Sequence, residues 1–409
     1  MNGLHTTHAQ WNGDSFEEAI DDRMKQLVRE GVMAGQVVPF AAPAIPQTVW
    51  TLHALIRLGA TAMPHSPTTT ADHLAFVRQS THTPTQPDTW LRLTTTGTTG
   101  TPKLVDLTKT QIEASAAASK KRLGCTNTDR WLCCLPLHHI AGLSILMRNR
   151  LYGCPTLLHE RFDPLMVSVA IEAEDVQLVS LVPTMLSRLI QVRNGKPFPP
   201  TLRAILLGGA PCPADLLDQC RTMNAPVALT WGMTETASQI ATRAPGDLRR
   251  DSDVGLPLDG VRIEVHNEQL VVSGNIAPNG RFVTDDRGAL DEMGRVVVHG
   301  RGSALIISGG ENIDPRRIET VIERHPSVRA CVVVGRADSE WGQRPVAFVA
   351  TDQNEPLKDW LSDKLLRHEV PAEIHCVTEL PRNEMGKIDR KGLRDQAQLL
   401  HRASKRLRN

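Results

Sequence analysis

The segment Thr94–Lys103 reads TTTGTTGTPK and concentrates groups that bind anions. Glycine reaches positive φ without steric cost, so a backbone of this kind can turn several N–H groups toward one anion. Threonine hydroxyls add donors, and Lys103 adds a positive charge. The Walker loop requires G-x-x-x-x-G-K-[ST], whereas here Thr101 and Pro102 follow the second glycine. The segment therefore suits the phosphates of a nucleotide in a loop of another kind, although by itself it also fits a flexible surface loop.

Two further segments follow apolar, strand-like runs. Trp231–Thr236 reads WGMTET, and open parallel sheets bind ligands beyond the carboxyl ends of their strands. There Thr234 can donate to a phosphate and Glu235 can hold Mg²⁺, although a helix N-cap with an acidic first turn has the same composition. Gly208 and Gly209, in LLGGAP, would let a flat ring approach the backbone, and they equally fit an ordinary strand-to-helix turn.

Two more candidates lie nearer the C-terminus. The acidic pair in Thr284–Asp286, with Arg301 beyond it, can bind ribose hydroxyls, as an aspartate does in dinucleotide folds. A pair of aspartates is also a common turn composition. The run PRNEMGKIDR places Lys387 on a glycine-containing loop, and a lone surface lysine usually only adds solubility.

Composition narrows the class of protein. The 409 residues allow two or three domains, and a net charge of +1 offers no general attraction to nucleic acid or to an anionic membrane. Aromatic residues are 4% of the chain, too few for a base-stacking surface. The eight cysteines lack zinc-ligand spacing, and the chain shows neither an N-terminal signal nor an apolar run of 18 residues. These features predict a soluble, cytoplasmic protein with no membrane span.

The order of apolar runs predicts an α/β fold. From Val37 to about residue 233, strand-like runs alternate with helical patterns such as Thr108–Arg122, which favours βαβ units, a largely parallel sheet and helices on its faces. Stretches 64–70 and 81–89, rich in Thr and Pro, are predicted loops. After about residue 254 the apolar period becomes two, as in antiparallel strands, and a smaller α+β module begins near residue 301.

Six motifs occur together and in order: TTGTTGTPK, LPLHHIAG, LLGGAP, WGMTET, VTDDRG with a following GR, and SGGENI with PRNEMGKIDR. In this order they resemble the adenylate-forming superfamily of acyl- and aryl-CoA ligases, luciferases and peptide-synthetase adenylation domains, over residues 37 to 395. Within it the chain is most similar to the 2-succinylbenzoate–CoA ligases of menaquinone or phylloquinone biosynthesis. Runs such as GLSILMRNRLYG, LVSLVPTMLSRLI and WGQRPVAF carry that narrower resemblance.

The resemblance implies a fold and a reaction. The large domain, residues 1–302, would hold ATP and the acid on parallel sheets with a β-rich subdomain, and a small mobile α+β domain, residues 303–409, would carry the catalytic lysine. A carboxylate attacks the α-phosphate of ATP, pyrophosphate leaves with Mg²⁺, and the thiol of coenzyme A then displaces AMP. The expected partners are thus small molecules, namely a carboxylic acid, ATP and coenzyme A, and no nucleic acid. The resemblance to the family also implies a possible homodimer.

The resemblance also implies roles for residues at the matching positions. The residues expected to hold the β- and γ-phosphates are Thr95, Thr96, Gly97, Thr98, Thr99, Gly100 and Lys103. Those expected to frame adenine are Gly208, Gly209, Ala210, Pro211, Trp231 and Gly232. Thr234 would contact phosphate, Glu235 would hold Mg²⁺, and Asp286 would bind the ribose hydroxyls with Arg301 beside it.

Lys387 is expected to bridge the substrate carboxylate and the α-phosphate during adenylation, where its charge would stabilise the transition state. His139 matches a histidine near the acyl pocket. Arg148 and Ser180 are the candidates for the second carboxylate and the ketone of succinylbenzoate, although Arg148 equally suits an ion pair on a helix surface. Ser303 marks the expected hinge between the domains.

Four positions depart from the family's pattern. His138 stands where phenylalanine is usual, which leaves the shape of the acyl pocket open. Ser303–Ala304 replace the usual hinge aspartate, and Asp285 replaces a usual glycine. Two alternatives also stay open: a CoA ligase for another aryl or short-chain acid, and an adenylating or carrier-loading module that makes no thioester.

Overall fold

The structure is a computed structural model that describes residues 3–7, 9–96, 102–173, 175–251, 253–302, 305–309, 311–338, 340–352, 357–362, 364–382 and 386–406. The helices are α1 Asp14–Arg29, α2 Pro46–Arg57, α3 Ala71–Ser80, α4 Lys109–Leu123, α5 Ile140–Tyr152, α6 Pro164–Glu172, α7 Pro183–Arg193, α8 Ala214–Thr222, α9 Pro315–Ile322, α10 Leu357–Ser362 and α11 Arg390–Arg406.

The first thirteen strands are β1 Gly3–His5, β2 Gln10–Asn12, β3 Val37–Ala41, β4 Thr61–His65, β5 Thr89–Thr96, β6 Pro102–Thr108, β7 Trp131–Cys133, β8 Thr156–Leu158, β9 Leu178–Leu181, β10 Ala204–Leu207, β11 Val227–Met233, β12 Ser238–Thr242 and β13 Leu256–Pro257. The remaining strands are β14 Arg262–His266, β15 Gln269–Ser273, β16 Arg281–Leu290, β17 Val296–Arg301, β18 Ile306–Ser308, β19 Glu311–Ile313, β20 Val328–Asp338, β21 Gly342–Thr351 and β22 Glu373–Val377.

A nine-stranded sheet forms the centre of the fold, in the order β13-β12-β11-β10-β9-β7-β8-β1-β2. Its inner strands are parallel, and antiparallel pairs occur at both ends. On β7, Trp131 and Cys133 pack into one hydrophobic core while Leu132 packs into another, because successive side chains of a strand point to opposite faces. The sheet is thus buried on both faces, as the predicted βαβ units require.

A second sheet, β3-β4-β5-β6, carries the Gly/Thr loop. Strand β5 leads into the loop, and β6 returns antiparallel to it with Thr95 opposite Lys103. The loop therefore joins two strands of a hairpin. The hairpin leads into α4, which begins because the Thr108 side chain accepts from the Gln111 N–H and ends at Gly124 in the left-handed conformation.

The prediction of a loop at 64–70 was wrong for its first two residues, because β4 continues to His65 in a parallel ladder with β3. Sequence analysis also left out α3, which lies between the two predicted loops. Thr70 caps this helix by accepting from the His73 N–H, so threonine here begins a helix instead of extending a loop.

Residues beyond the central sheet form two smaller sheets. The antiparallel sheet β14-β15-β16-β17 is the expected period-two region. The last sheet contains β18 to β22 and packs against α9, α10 and α11 in cores of its own. The domain boundary at 302/303 stays a prediction, and Ser303 and Ala304 lie outside the described residues. Within the described ranges no helix is long and apolar enough to cross a membrane.

Candidate active site

The β5–β6 hairpin presents the two ends of the phosphate loop side by side. Thr95 is half-buried and faces exposed Lys103 across the ladder. The middle of the predicted loop, Gly97, Thr98, Thr99 and Gly100, lies outside the described residues, as does the side chain of Thr96.

The WGMTET segment forms the end of β11 and a single 3₁₀ turn, Thr234–Thr236, before the chain reverses into β12. A Cβ at Gly232 would lie 1.7 Å from the Ser238 carbonyl oxygen, so only glycine allows this close return. Helix α4 holds the turn, because Gln111 Nε2 donates to the Glu235 carbonyl at 3.1 Å. Helix α4, which follows the phosphate hairpin, therefore holds the turn that carries Thr234 and Glu235.

Glu235 is the predicted magnesium ligand, and its half-buried carboxylate forms no hydrogen bond or ion pair within the described part of the chain. That same part contains no group of three or more His, Cys, Asp or Glu side chains that could hold a metal ion alone. Mg²⁺ commonly binds through one or two carboxylates together with substrate phosphates. The site fits an ion that arrives with the nucleotide, with Glu235 as its protein ligand.

The predicted ribose and adenine residues meet at the junction of β11 with β16. Trp231 Nε1 donates to Asp286 Oδ2 at 2.7 Å, and Arg301 Nε lies 3.5 Å from Asp286 Oδ1. Asp286 and Arg301 are direct partners in the β16–β17 ladder. Burial raises the pKa of the Asp286 carboxyl, and the Trp231 hydrogen bond and the Arg301 charge oppose that rise. Tertiary packing thus links two residues that the sequence assigned to different parts of the nucleotide.

The glycine pair after β10 borders the same space. A Cβ at Gly208 would lie 2.7 Å from Thr230 Cγ2 of the neighbouring strand. Gly209 has φ +82°, which favours glycine, and the following Ala210 and Pro211 are exposed. The segment therefore leaves an open backbone edge next to the strand that carries Trp231.

Lys387 reaches this edge from the C-terminal module. A Cβ at Gly209 would lie 3.2 Å from Lys387 Cε and 3.6 Å from its Nζ. The lysine loop rests on the N-terminal end of α7, where Thr184 Oγ1 donates to the Gly386 carbonyl at 3.3 Å. Burial and the nearby Arg301 lower the pKa of Lys387. The structure brings the predicted catalytic lysine beside residues that lie more than 80 positions away in sequence.

His139 joins the same group as the N-cap residue of α5. Burial, His138 and Lys387 together lower the pKa of His139 to about 3, so its imidazole is neutral at physiological pH. The planes of the His138 and His139 rings are tilted by 45°, with centroids 4.3 Å apart. The neutral His139 imidazole adds no positive charge beside Lys387.

Arg148, about two turns along α5, is almost fully buried, with 1% of its surface exposed. Its guanidinium lies 4.4 Å from the centroid of a Trp131 ring, and Nη2 donates to Gln239 Oε1 at 2.8 Å. Nε and Nη1 have no hydrogen-bond partner, and no carboxylate pairs with Arg148 within the described ranges. The helix-surface ion pair considered from the sequence is excluded, because the side chain is interior.

A cavity of about 10 Å³ lies between α4 and α5, a volume near that of one water molecule. Its lining comprises Ile112, Ser115, Ala116, Ile140, Ser144, Met147, Arg148 and Ala237. The predicted partner Ser180 is buried nearby, but its Oγ accepts from Trp131 Nε1 at 3.0 Å. Trp131 therefore contacts both residues, because its Nε1 donates to Ser180 and its ring lies against the Arg148 guanidinium.

Sequence analysis missed Gln239, the side chain that holds Arg148. Gln239 Nε2 donates to Thr242 Oγ1 at 2.9 Å, and this hydroxyl lies 2.8 Å from Thr230 Oγ1. The only available signal was a glutamine within the apolar strand β12. That signal does not identify a partner 91 residues away.

Two family models match this chain. A family model described as AMP-binding enzyme matches residues 78–288, and one described as AMP-binding enzyme C-terminal domain matches residues 317–387. The 2-succinylbenzoate–CoA ligase of Bacillus cytotoxicus is 38% identical over 73% of this chain and 68% of that protein. A Bacillus cereus protein of the same name is 40% identical over the same shares.

Solved structures extend the similarity to the whole fold. The o-succinylbenzoate CoA synthetase of Bacillus subtilis, in complex with the acyl-adenylate intermediate OSB-AMP, superposes with a TM-score of 0.82 at 30% identity, over 95% of this chain and 94% of that one. The same enzyme with ATP and magnesium gives a TM-score of 0.84 at 29% identity, over 95% and 96%. The chain belongs to the AMP-binding, adenylate-forming enzyme family and groups within it with the 2-succinylbenzoate–CoA ligases.

Proposed function

We propose that this protein joins 2-succinylbenzoate to coenzyme A in two steps. The acid's carboxylate oxygen attacks the α-phosphorus of ATP, so that an acyl-adenylate forms and pyrophosphate leaves. The coenzyme A thiol then loses its proton and attacks the acyl carbon, which releases AMP and leaves a thioester. The observation that carries this proposal is the position of Lys387 against Gly209, beside Arg301 and the Trp231–Asp286 pair.

In the first step, Lys387 would bridge the attacking carboxylate and the α-phosphate. Negative charge accumulates on the phosphate oxygens in the transition state, and a fixed cation stabilises it most there. Packing against Gly209 holds the lysine at this position, with its Nζ 3.6 Å from where a Cβ of residue 209 would lie. His139, kept neutral by its surroundings, adds no competing charge.

The nucleotide would lie across the carboxyl ends of β10 and β11. Asp286 Oδ1 would accept from a ribose hydroxyl, since its other oxygen already accepts from Trp231. Thr234 would donate to phosphate, and Glu235 would hold the Mg²⁺ that shields the leaving pyrophosphate. The loop from Thr95 to Lys103 would hold the β- and γ-phosphates.

The acid would enter between α4 and α5 and extend its second carboxylate toward Arg148. Two guanidinium nitrogens there, Nε and Nη1, have no partner, and a carboxylate oxygen can accept a charge-assisted hydrogen bond from either. The cavity must widen to admit the aromatic ring, because its present volume is about 10 Å³. Ser180 would reach the ketone only by giving up or sharing its Trp131 hydrogen bond.

Coenzyme A must reach the acyl carbon that Lys387 and its loop now face. We therefore infer that the C-terminal module, residues 303–409, rotates away after adenylation, with the hinge near Ser303. The interface that would break includes the Thr184–Gly386 hydrogen bond. A single hydrogen bond of this kind contributes about 1 kcal/mol, so it does not lock the module in place.

A pyrophosphate-release assay tests the whole proposal. Purified enzyme is incubated with ATP and Mg²⁺ and with 2-succinylbenzoate, benzoates or amino acids, each with and without coenzyme A. We expect release with 2-succinylbenzoate, and continuous turnover only when coenzyme A is present. Turnover with benzoates and none with 2-succinylbenzoate would reject the substrate, and adenylation without any thioester would favour a carrier-loading module.

Two further expectations belong to this proposal. All eight cysteines are free thiols, which is typical of a reducing compartment and supports a cytoplasmic enzyme. A homodimer remains a prediction that sedimentation velocity of the purified protein would test.

A further inference from the structure

A second, larger cleft lies at the other end of α5 from the catalytic lysine. Its volume is about 370 Å³, within the range of small-molecule pockets. Its lining comprises Phe16, Glu17, Ile20, His53, Arg57, Trp90, Lys109, Glu113, Arg150 and Leu151. Arg150 lies eleven residues after His139, or about 16 Å along a helix that rises about 1.5 Å per residue. This cleft, here called the α5 cleft, is therefore separate from the adenylation site.

The charges in the α5 cleft are unevenly paired. Arg57 forms ion pairs with Glu17 and Asp21, and Lys109 Nζ lies 3.9 Å from Glu113 Oε1. Arg150 has no hydrogen bond or ion pair with any other described residue, and its guanidinium lies 5.5 Å from the centroid of a Trp90 ring. Burial and the nearby Arg57 lower the pKa of Arg150, and the charge of Glu17 opposes that shift.

His53 is a second sign of a missing partner. It lies on α2 with 1% of its surface exposed, and its Nε2 has no hydrogen-bond partner. Burial, Arg150 and Arg57 lower the pKa of His53 to about 3, so the ring is neutral. A neutral imidazole with an unsatisfied nitrogen can donate a hydrogen bond to an anion between it and the arginines.

We propose that the α5 cleft binds a small organic anion, with a phosphate or carboxylate group against Arg150 and His53 and an apolar or aromatic part against Trp90. An anion there would satisfy the half-buried Arg150 guanidinium and the buried His53 nitrogen, which have no hydrogen-bond partner among the described residues, and such groups are costly when unmatched. The apolar lining beside the charges, from Phe16, Ile20 and Leu151, accommodates the rest of the molecule. The ligand is distinct from ATP and the acid, which the adenylation site would hold.

Isothermal titration calorimetry with phenyl phosphate and, separately, benzoate tests this site. The full chain is first saturated with a non-hydrolysable acyl-adenylate analogue, so that the catalytic site cannot take up the probe. We expect one saturable site in the wild type, and at least a tenfold loss of affinity in Arg150→Gln, because a hydrogen bond to a charged group is worth about 1.5–3 kcal/mol. The probe that binds more tightly identifies the preferred anionic group.

Arg161→Gln is the matched control, since Arg161 is exposed and lies outside the cleft. It should bind the probe like the wild type. Lys109→Gln, at the exposed rim, is a second variant that changes the cleft without altering its interior. Pyrophosphate release with 2-succinylbenzoate should be unchanged in all three variants, which shows that they are folded. No saturable binding by the wild type, or equal affinity in Arg150→Gln, would overturn the proposal.

Discussion

Lys387 of the C-terminal module packs on the bare backbone of Gly209, so closely that a Cβ at position 209 would lie 3.2 Å from Lys387 Cε. The glycine therefore does two things at once. It adopts φ +82° after β10, and it leaves the space that the lysine occupies. This contact joins the LLGGAP and PRNEMGKIDR motifs physically.

Gly209→Ala should therefore displace the lysine. Because a small misplacement of a catalytic group lowers rates steeply, we expect adenylation to fall by about tenfold or more. The measurement is pyrophosphate release under single-turnover conditions. Gly246→Ala is the control, since Gly246 has a similar φ of +80° but nothing within 4 Å of the added Cβ. Equal losses in the two variants would show that backbone strain alone is responsible.

Lys387→Ala should reduce adenylation by orders of magnitude and spare thioester formation from preformed acyl-adenylate. The reason is that the cation acts on the α-phosphate, which has already reacted before the thiol attacks. The two half-reactions are measured separately, and Lys391→Ala, an exposed lysine four residues later, serves as the control. If Lys387→Ala slowed both half-reactions equally, the assignment of Lys387 to adenylation would be wrong.

The pH dependence of adenylation should carry the signature of Lys387. Burial and Arg301 lower the pKa of this lysine below its ordinary 10.5, and the active form is the protonated one. The value of kcat/KM should then decline as the pH rises through that lowered pKa. Lys387→Arg keeps its proton throughout, so its slower reaction should lack this basic decline. An identical decline in both enzymes would assign the titration to another group.

Arg148→Met should separate recognition from stability. We expect kcat/KM for 2-succinylbenzoate to fall by about 10- to 100-fold, because the second carboxylate loses a charged partner, while turnover of benzoate stays unchanged. The unfolding temperature should be maintained or raised, because a buried cation without a counterion is removed.

Arg193→Met provides the contrast for Arg148→Met. Arg193 is equally interior, but its Nη2 lies 2.7 Å from Glu172 Oε1, so its loss breaks a pair and should lower the unfolding temperature. If Arg148→Met behaved in the same way and lowered the rates for both acids alike, Arg148 would be a structural residue.

Asp286→Asn should stabilise the fold while it weakens nucleotide binding. Burial raises the pKa of Asp286, so folding favours the neutral carboxyl and works against the charged form that exists near pH 7. The asparagine amide is uncharged, so its burial does not cost the free energy of burying a carboxylate, and its oxygen can still accept from Trp231. An amide oxygen is a weaker acceptor for ribose hydroxyls than a carboxylate oxygen. Thermal unfolding and calorimetric titration of AMP measure the two effects. Weaker AMP binding with a lower unfolding temperature would contradict this explanation.

Much of the nucleotide site was readable from the chain alone. The phosphate loop, WGMTET and LLGGAP were recognisable because turns that approach a ligand closely admit few residue types, and the order of the motifs predicted one enzyme family. The parallel sheet followed from the alternation of apolar runs, such as those that became β7 and β9. Local composition misled where β4 continued into the predicted loop at 64–70 and where threonine capped a helix, as at Thr70.

The sequence by itself determined the family and the α/β class and predicted the residues of the nucleotide site, because these depend on local backbone geometry and on short spacings. Only the tertiary structure decided which distant groups meet. It joined Trp231 to Asp286, placed Lys387 on Gly209, and buried Arg148 without a carboxylate. It also left Arg150 and His53 facing a second cleft. The physical reason is that burial and charge pairing are set by contacts between residues far apart in sequence, which periodicity does not encode.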